Sequence, residues 1–86
     1  MAYCVAVRNS RQRKVVKELR RRLAANLRDL RQRQSMTQEE LAERTGLASR
    51  HIQKLEAGEV NATLKTVALI AEGLGIEPDE LLGRAR

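Results

Sequence analysis

From Lys14 to Gln34 the apolar residues fall at Val15, Val16, Leu19, Leu23, Ala24, Leu27 and Leu30. Spacings of three and four dominate and return to one side of a 3.6-residue turn, which predicts a single amphipathic helix. Its outer face is rich in arginine. The nine residues before it mix a short apolar run, "MAYCVAV", with Arg8 and Asn9. They read as a short strand, a partner-binding arm or an unstructured end, and Ser10 is placed to cap the helix that follows.

After Ser35 the pattern breaks into shorter pieces. Thr37 opens a second helix, with Glu40 three residues on completing a capping box. Leu41 faces inward and Ala42 offers a close contact. Gly46 stops the helix, since a turn there requires a positive φ. A third helix is expected from about Ala48 to Ala57, ending at Gly58. Thr63 caps a fourth that carries Leu64, Val67, Ile70, Ala71 and Leu74, is weakened by Gly73 and ends at Gly75. Pro78 sits in the first turn of a short fifth helix bearing Leu81 and Leu82, where its missing N–H costs nothing. The expectation is an all-α, compact five-helix domain over residues 23–82. A basic extension (1–22) precedes it and a tail (83–86) follows.

Composition narrows the picture. The chain has 86 residues, no Phe or Trp, and Tyr3 as its only aromatic. One modest core of Leu, Val, Ile and Ala must suffice, which suits packed helices better than a sheet. The net charge is +6, unevenly spread. Residues 1–35 hold 11 Lys and Arg against Glu18 and Asp29, whereas residues 36–86 hold 6 against 9 acids. Such an excess points to a polyanionic partner, or serves only to keep a small protein in solution.

Cys4 stands alone, so no intramolecular disulfide forms and cysteine and histidine cannot build a four-ligand zinc site. No metal or cofactor is expected. One histidine, one cysteine and no paired acidic cluster leave little for catalysis. The N-terminal run is too short for a signal peptide, and no apolar stretch approaches a membrane span. A cytoplasmic protein of bacterial or phage origin is expected.

The third helix carries the chemistry. On a wheel of about 100° per residue, Ala48, Ile52 and Leu55 fall on one side. Ser49, Arg50, Gln53, Lys54 and Ala57 fall opposite, and His51 lies on the flank. A helix with an apolar seat and a cationic, hydrogen-bonding outer face fits the DNA major groove, where arginine can bond guanine O6 and N7 and glutamine can read adenine. The second helix would then cross the groove with its N–H groups aimed at phosphate. The run Arg20-Arg21-Arg22, with Arg11, Arg13, Lys14 and Lys17, grips phosphate, is a basic arm ordered by DNA, or is a solvated face.

The order Leu41, Ala42, Gly46, Leu47, Ile52, Leu55 fits a helix-turn-helix. With "TQEELAERTG" at Thr37 to Gly46, "KLEAG" at Lys54 to Gly58 and "GIEPDELL" at Gly75 to Leu82, the chain resembles the lambda-repressor-like (Cro-type, xenobiotic-response-element) helix-turn-helix family. The resemblance runs from about Leu23 to Leu82. It implies a five-helix DNA-binding domain, commonly dimeric, of the kind used in repressors, restriction–modification controllers and antitoxins. It also implies that Ser49, Arg50 and Lys54, with Gln53 beside them, read bases. Thr37, Gln38, Arg20 and Arg21 are the expected phosphate contacts, Gln38 by the resemblance and the arginines by their charge. Arg31 and Glu56 match a family pair that ties the first helix to the end of the recognition helix. Ala48 stands where the family often has a Ser or Thr cap, which shifts the expected start of the third helix to Ser49. Ala57 replaces a frequent asparagine.

The function expected is a transcriptional regulator of repressor or controller type, a homodimer on a palindromic operator in double-stranded DNA. It would act by blocking RNA polymerase, or by contacting it. The alternatives are an antitoxin that binds a protein toxin and its own promoter, and a non-enzymatic adaptor. Two apolar surfaces could join the copies: the fifth helix with Leu81 and Leu82, or Val15, Val16 and Leu19 with the N-terminal arm.

Overall fold

The structure, a computed structural model, describes residues 5–84. Five helices follow one another: α1 (Val5–Arg33), α2 (Gln38–Thr45), α3 (Ser49–Glu56), α4 (Leu64–Leu74) and α5 (Asp79–Leu82). No strand occurs among the described residues. The all-α, five-helix expectation holds. Cys4, the first residues of the expected arm and the last two of the tail lie outside the described residues.

The largest departure is the length of α1, which begins at Val5 rather than near Lys14 and runs for 29 residues. Ser10 therefore lies inside a helix and caps nothing, and Val5 to Asn9 are helical rather than a strand or an unstructured end. The reason is propensity. No Gly or Pro occurs before Gly46, and the segment is built largely of Arg, Lys, Gln, Leu and Ala, all good helix formers. The helix ends at Arg33, and Ser35 just beyond it takes a left-handed φ of 53°. The Met36 N–H then reaches back to the Arg31 carbonyl at 3.2 Å, a closure that meets one of the helix's free carbonyls.

The core draws on every helix. Leu27 of α1, Leu41 of α2, Ile52 and Leu55 of α3, Ile70 of α4 and Leu81 of α5 are fully enclosed. Each contributes about 1.5–3 kcal/mol by leaving water. Leu23, Met36, Ala42, Val67, Ala71 and Leu74 complete the cluster. Two expected inward residues do not face in. Leu64, at the first position of α4, is 84% exposed. Ala48 adopts the extended backbone of a cap residue and is exposed. Leu81 departs in the other direction: as a core residue it is unavailable to join two copies, which leaves half-buried Leu82 alone on that surface.

Polar clamps hold α1 and the turn after it to α5 and α4. The Asn26 amide donates to the Leu81 and Gly83 carbonyls, both at 2.8 Å. The Gln34 amide donates to the Leu74 carbonyl at 2.7 Å. Between α2 and α4 the constraint is steric. A Cβ on Gly73 would lie 2.7 Å from Thr45 Cγ2, so the residue that weakens α4 is the one that lets α2 approach it. Thr45 is buried, and its hydroxyl donates to the Leu41 carbonyl at 2.8 Å. Among the described residues no helix is long and apolar enough to cross a membrane.

Candidate nucleic-acid interface

The geometry of α2 and α3 is set locally. The Thr37 hydroxyl accepts from the Glu40 N–H at 3.0 Å, and the Glu40 carboxylate accepts from the Thr37 N–H at 3.2 Å. This reciprocal box satisfies two donors that a helix start leaves free. At the other end, Gly46 takes φ 77° and ψ 5°, a left-handed conformation costly to a residue with a Cβ. Leu47 and Ala48 complete the turn, and α3 starts at Ser49 with no side-chain cap.

Ile52 and Leu55, three residues apart on one side of α3, are fully buried beneath it. Arg50, Gln53, Lys54 and Ala57 are exposed, whereas Ser49 and His51 are half-buried. Three of the four expected base-reading side chains thus stand free on one face, and Ser49 lies at its edge.

Beneath the end of α3 sits Glu56, whose side chain is only 2% exposed. Arg31 grips it in a bidentate pair, Nε donating to Oε2 at 2.6 Å and Nη2 to Oε1 at 2.9 Å. Arg31 Nη1 also donates to the Met36 carbonyl at 2.7 Å. The bond to Glu56 raises the Arg31 pKa further, against the opposing effect of burial. The Gln38 amide donates to Glu56 Oε1 at 3.2 Å, and Arg28 Nε lies 3.9 Å from the same oxygen. One carboxylate therefore joins the end of α1, the start of α2 and the end of α3. A charge-assisted bidentate pair fixes orientation as well as distance, so the recognition face and the α2 N-terminus are held in one register.

The other expected phosphate ligands are placed less uniformly. Thr37 uses its hydroxyl as a cap. Gln38 is half-buried against Glu56. Arg20 donates from Nε to Asn61 Oδ1 at 2.6 Å. Arg21 pairs with Glu18, whose other oxygen accepts from Arg22 Nε at 3.3 Å. These bonds, the one from Arg21 foremost, hold the Glu18 carboxyl below its ordinary range. The turn after α3 packs on α1 at this point: a Cβ on Gly58 would lie 4.0 Å from the Arg20 carbonyl oxygen and 3.9 Å from Ala24 Cβ. Lys14, Lys17, Arg21 and Arg28 line an open groove with Glu56 and Gly58.

Sequence reasoning missed Arg28 and the Gln38–Glu56 contact. Arg28 had a signal, since it lies seven residues after Arg21 and so on the same side of a helix. The Gln38 contact had none. Among the described residues, no group of three or more His, Cys, Asp or Glu is gathered to hold a metal ion.

Comparison with known proteins agrees with this geometry. A helix-turn-helix family profile matches residues 27–81. The chain is 39% identical over 62 residues to the control protein C.SmaI of Serratia marcescens, covering 72% of this chain and 74% of that protein. It is 32% identical over 65 residues to the uncharacterized HTH-type transcriptional regulator y4dJ of Sinorhizobium fredii, covering 76% and 84%. The crystal structure of the restriction-modification controller protein C.AhdI from Aeromonas hydrophila superposes with a TM-score of 0.70 at 34% identity, over 72% of this chain and 94% of that one. The residues matched by the profile include the whole of α2 and α3. This chain belongs to the lambda-repressor-like helix-turn-helix family of DNA-binding transcriptional regulators.

Proposed function

We propose that the chain is a regulator of repressor or controller type that acts as a dimer on a palindromic operator. Arg50, Gln53 and Lys54 read base edges with Ser49 at the rim of the contact. Thr37 and Gln38 at the start of α2, with Arg20 and Arg21 on α1, hold phosphate. The observation that carries this reading is the anchoring of α3. Two buried aliphatic side chains and the Arg31–Glu56 pair fix the helix while its cationic face stays in water. A groove-reading helix needs that rigidity, because base contacts depend on bond geometry whereas phosphate contacts mainly position the protein.

A single copy of so small a domain discriminates poorly among genomic sites, and a two-fold pair doubles the bases read. The exposed Val15, Val16, Leu19 and Leu64 offer apolar surface for a second copy to cover. Occupancy of the operator then blocks or recruits RNA polymerase. Selection of bound duplexes from a random pool should return an inverted repeat. On that site Arg50→Ala should lose about 1–3 kcal/mol per half-site at one or two base pairs, if the guanidinium is bidentate to guanine. Equal loss on operator and random DNA would reassign Arg50 to phosphate.

A further inference from the structure

Residues 5–22 precede the family match and carry eight Lys or Arg against the single acid Glu18. They are not a separate arm, because they continue α1 in one unbroken helix. That continuity fixes where the side chains of residues 10–22 point. On a wheel of about 100° per residue, Lys14, Arg21 and Arg28 fall within about 40° of one another, and Lys17 lies about 20° further round. All four are exposed, and all four line the groove that meets Glu56 and Gly58 at the end of α3. The core residues Leu23 and Leu27 point away from this row. At 1.5 Å per residue the row is about 21 Å long.

Its starting point matters as much as its charge. At Glu56 the row meets the start of α2 through Gln38 and the end of the recognition helix in one step. With α3 in a major groove, Arg28 stands at the edge of that groove and the rest of the row leads away along α1. Apart from Glu18, which pairs with Arg21, and Glu56 at its foot, the charged groups of the row are ammonium and guanidinium, which suits a polyanion without base-edge reading.

We infer that Lys14, Lys17 and Arg21, with Arg28 at their base, form a helical rail that binds backbone phosphates of the same duplex outside the base pairs read by α3. This inference rests on the DNA-reading role proposed for α3. The rail gives the operator a requirement for length that is not a requirement for sequence. Flanking base pairs must be present, and their identity is free.

The test compares the intact chain with the Lys14→Gln/Lys17→Gln/Arg21→Gln variant on two duplexes. One carries the selected operator within long flanks, and the other ends at the last base pair read. Each phosphate contact adds about 0.9 to the slope of log affinity against log salt. The variant's slope on the long duplex should fall by roughly 2.7 per protomer. Between 50 and 200 mM salt the unaltered chain should therefore lose roughly 40-fold more affinity per protomer than the variant. On the trimmed duplex the two proteins should converge, with base preferences equal on both. The charge-keeping variant Lys14→Arg/Lys17→Arg/Arg21→Lys should retain the full slope, and Arg33→Gln, on another side of α1, should not lower it. Equal slopes for the Gln variant and the unaltered chain on the long duplex overturn the rail. A slope lost equally in the charge-keeping variant also overturns it. If the unaltered chain shows no sequence preference, the operator reading fails instead. The slope comparison on random duplex then still decides the rail, since backbone contacts do not depend on sequence.

Discussion

Between Leu23 and Arg33, α1 commits Asn26 and Arg31 to the rest of the domain. Asn26 holds the Leu81 and Gly83 carbonyls at the end of α5, and Arg31 holds Glu56 and the Met36 carbonyl. Between Arg11 and Arg22 the same helix leaves most of its cations in water. The contrast is sharpest in two carboxylates. Glu56, 2% exposed, faces an Arg31 that is 12% exposed, whereas Glu18, 39% exposed, faces an Arg21 that is 77% exposed. The chemistry is the same and the consequence is not. Water screens the exposed pair, so its geometry instructs little. The buried pair cannot lose a member without stranding a charge. One half of α1 is tied into the domain, and the other half presents its charge to water.

The contrast breaks most visibly at Arg31. Arg31→Ala leaves Glu56 buried without its partner and should destabilise the fold by about 3–5 kcal/mol. Arg33→Ala, which removes an exposed pair with Asp29, should change stability by less than about 0.5 kcal/mol. Urea melts of the two variants measure the difference, and coincident transitions would contradict the structural role of the buried pair.

A middle-sized effect is expected at Asn26. Asn26→Ala removes both bonds to the end of α5 and should cost about 1–3 kcal/mol. Thermal unfolding checks this. An unchanged melting temperature would mean that Leu81 alone docks α5.

The smallest effect sharpens the comparison from the exposed side. Glu18→Gln should leave the melting temperature unchanged, because its pair is in water. It removes the only acid from the extension and frees Arg21, so DNA binding should tighten slightly and become more salt-dependent. Titration at two salt concentrations detects this, and a fall in stability would show that the exposed pair supports the helix after all.

Much of the reading head was legible in the sequence because its determinants are local. Thr37 and Glu40 form their box across three residues, Gly46 and Gly75 mark ends that need a left-handed φ, and Ile52 and Leu55 announce the buried side of α3 by spacing. The start of α1 does not show in the apolar periodicity, because residues 5–13 are helical by propensity and continuity. Other features depend on residues far apart in the chain. Asn26 meets a carbonyl 57 residues away and Gln38 meets Glu56 across 18. Leu64 fits the apolar pattern of α4 yet points outward from its first position. Gly73 looked only like a weakness in a helix, because the Thr45 methyl that requires it lies on another element.

The unbroken junction between the two halves of α1 also governs how the extension forms. Starting a helix is the expensive step, since the first turn fixes several residues for a single hydrogen bond, and each later residue adds its own bond. In α1 the start is provided inside the core, where Leu23 and Leu27 are clamped by packing. The extension needs only propagation from that seed. Its length is therefore adjustable one turn at a time, about 5.4 Å per step, without disturbing the domain that reads the bases.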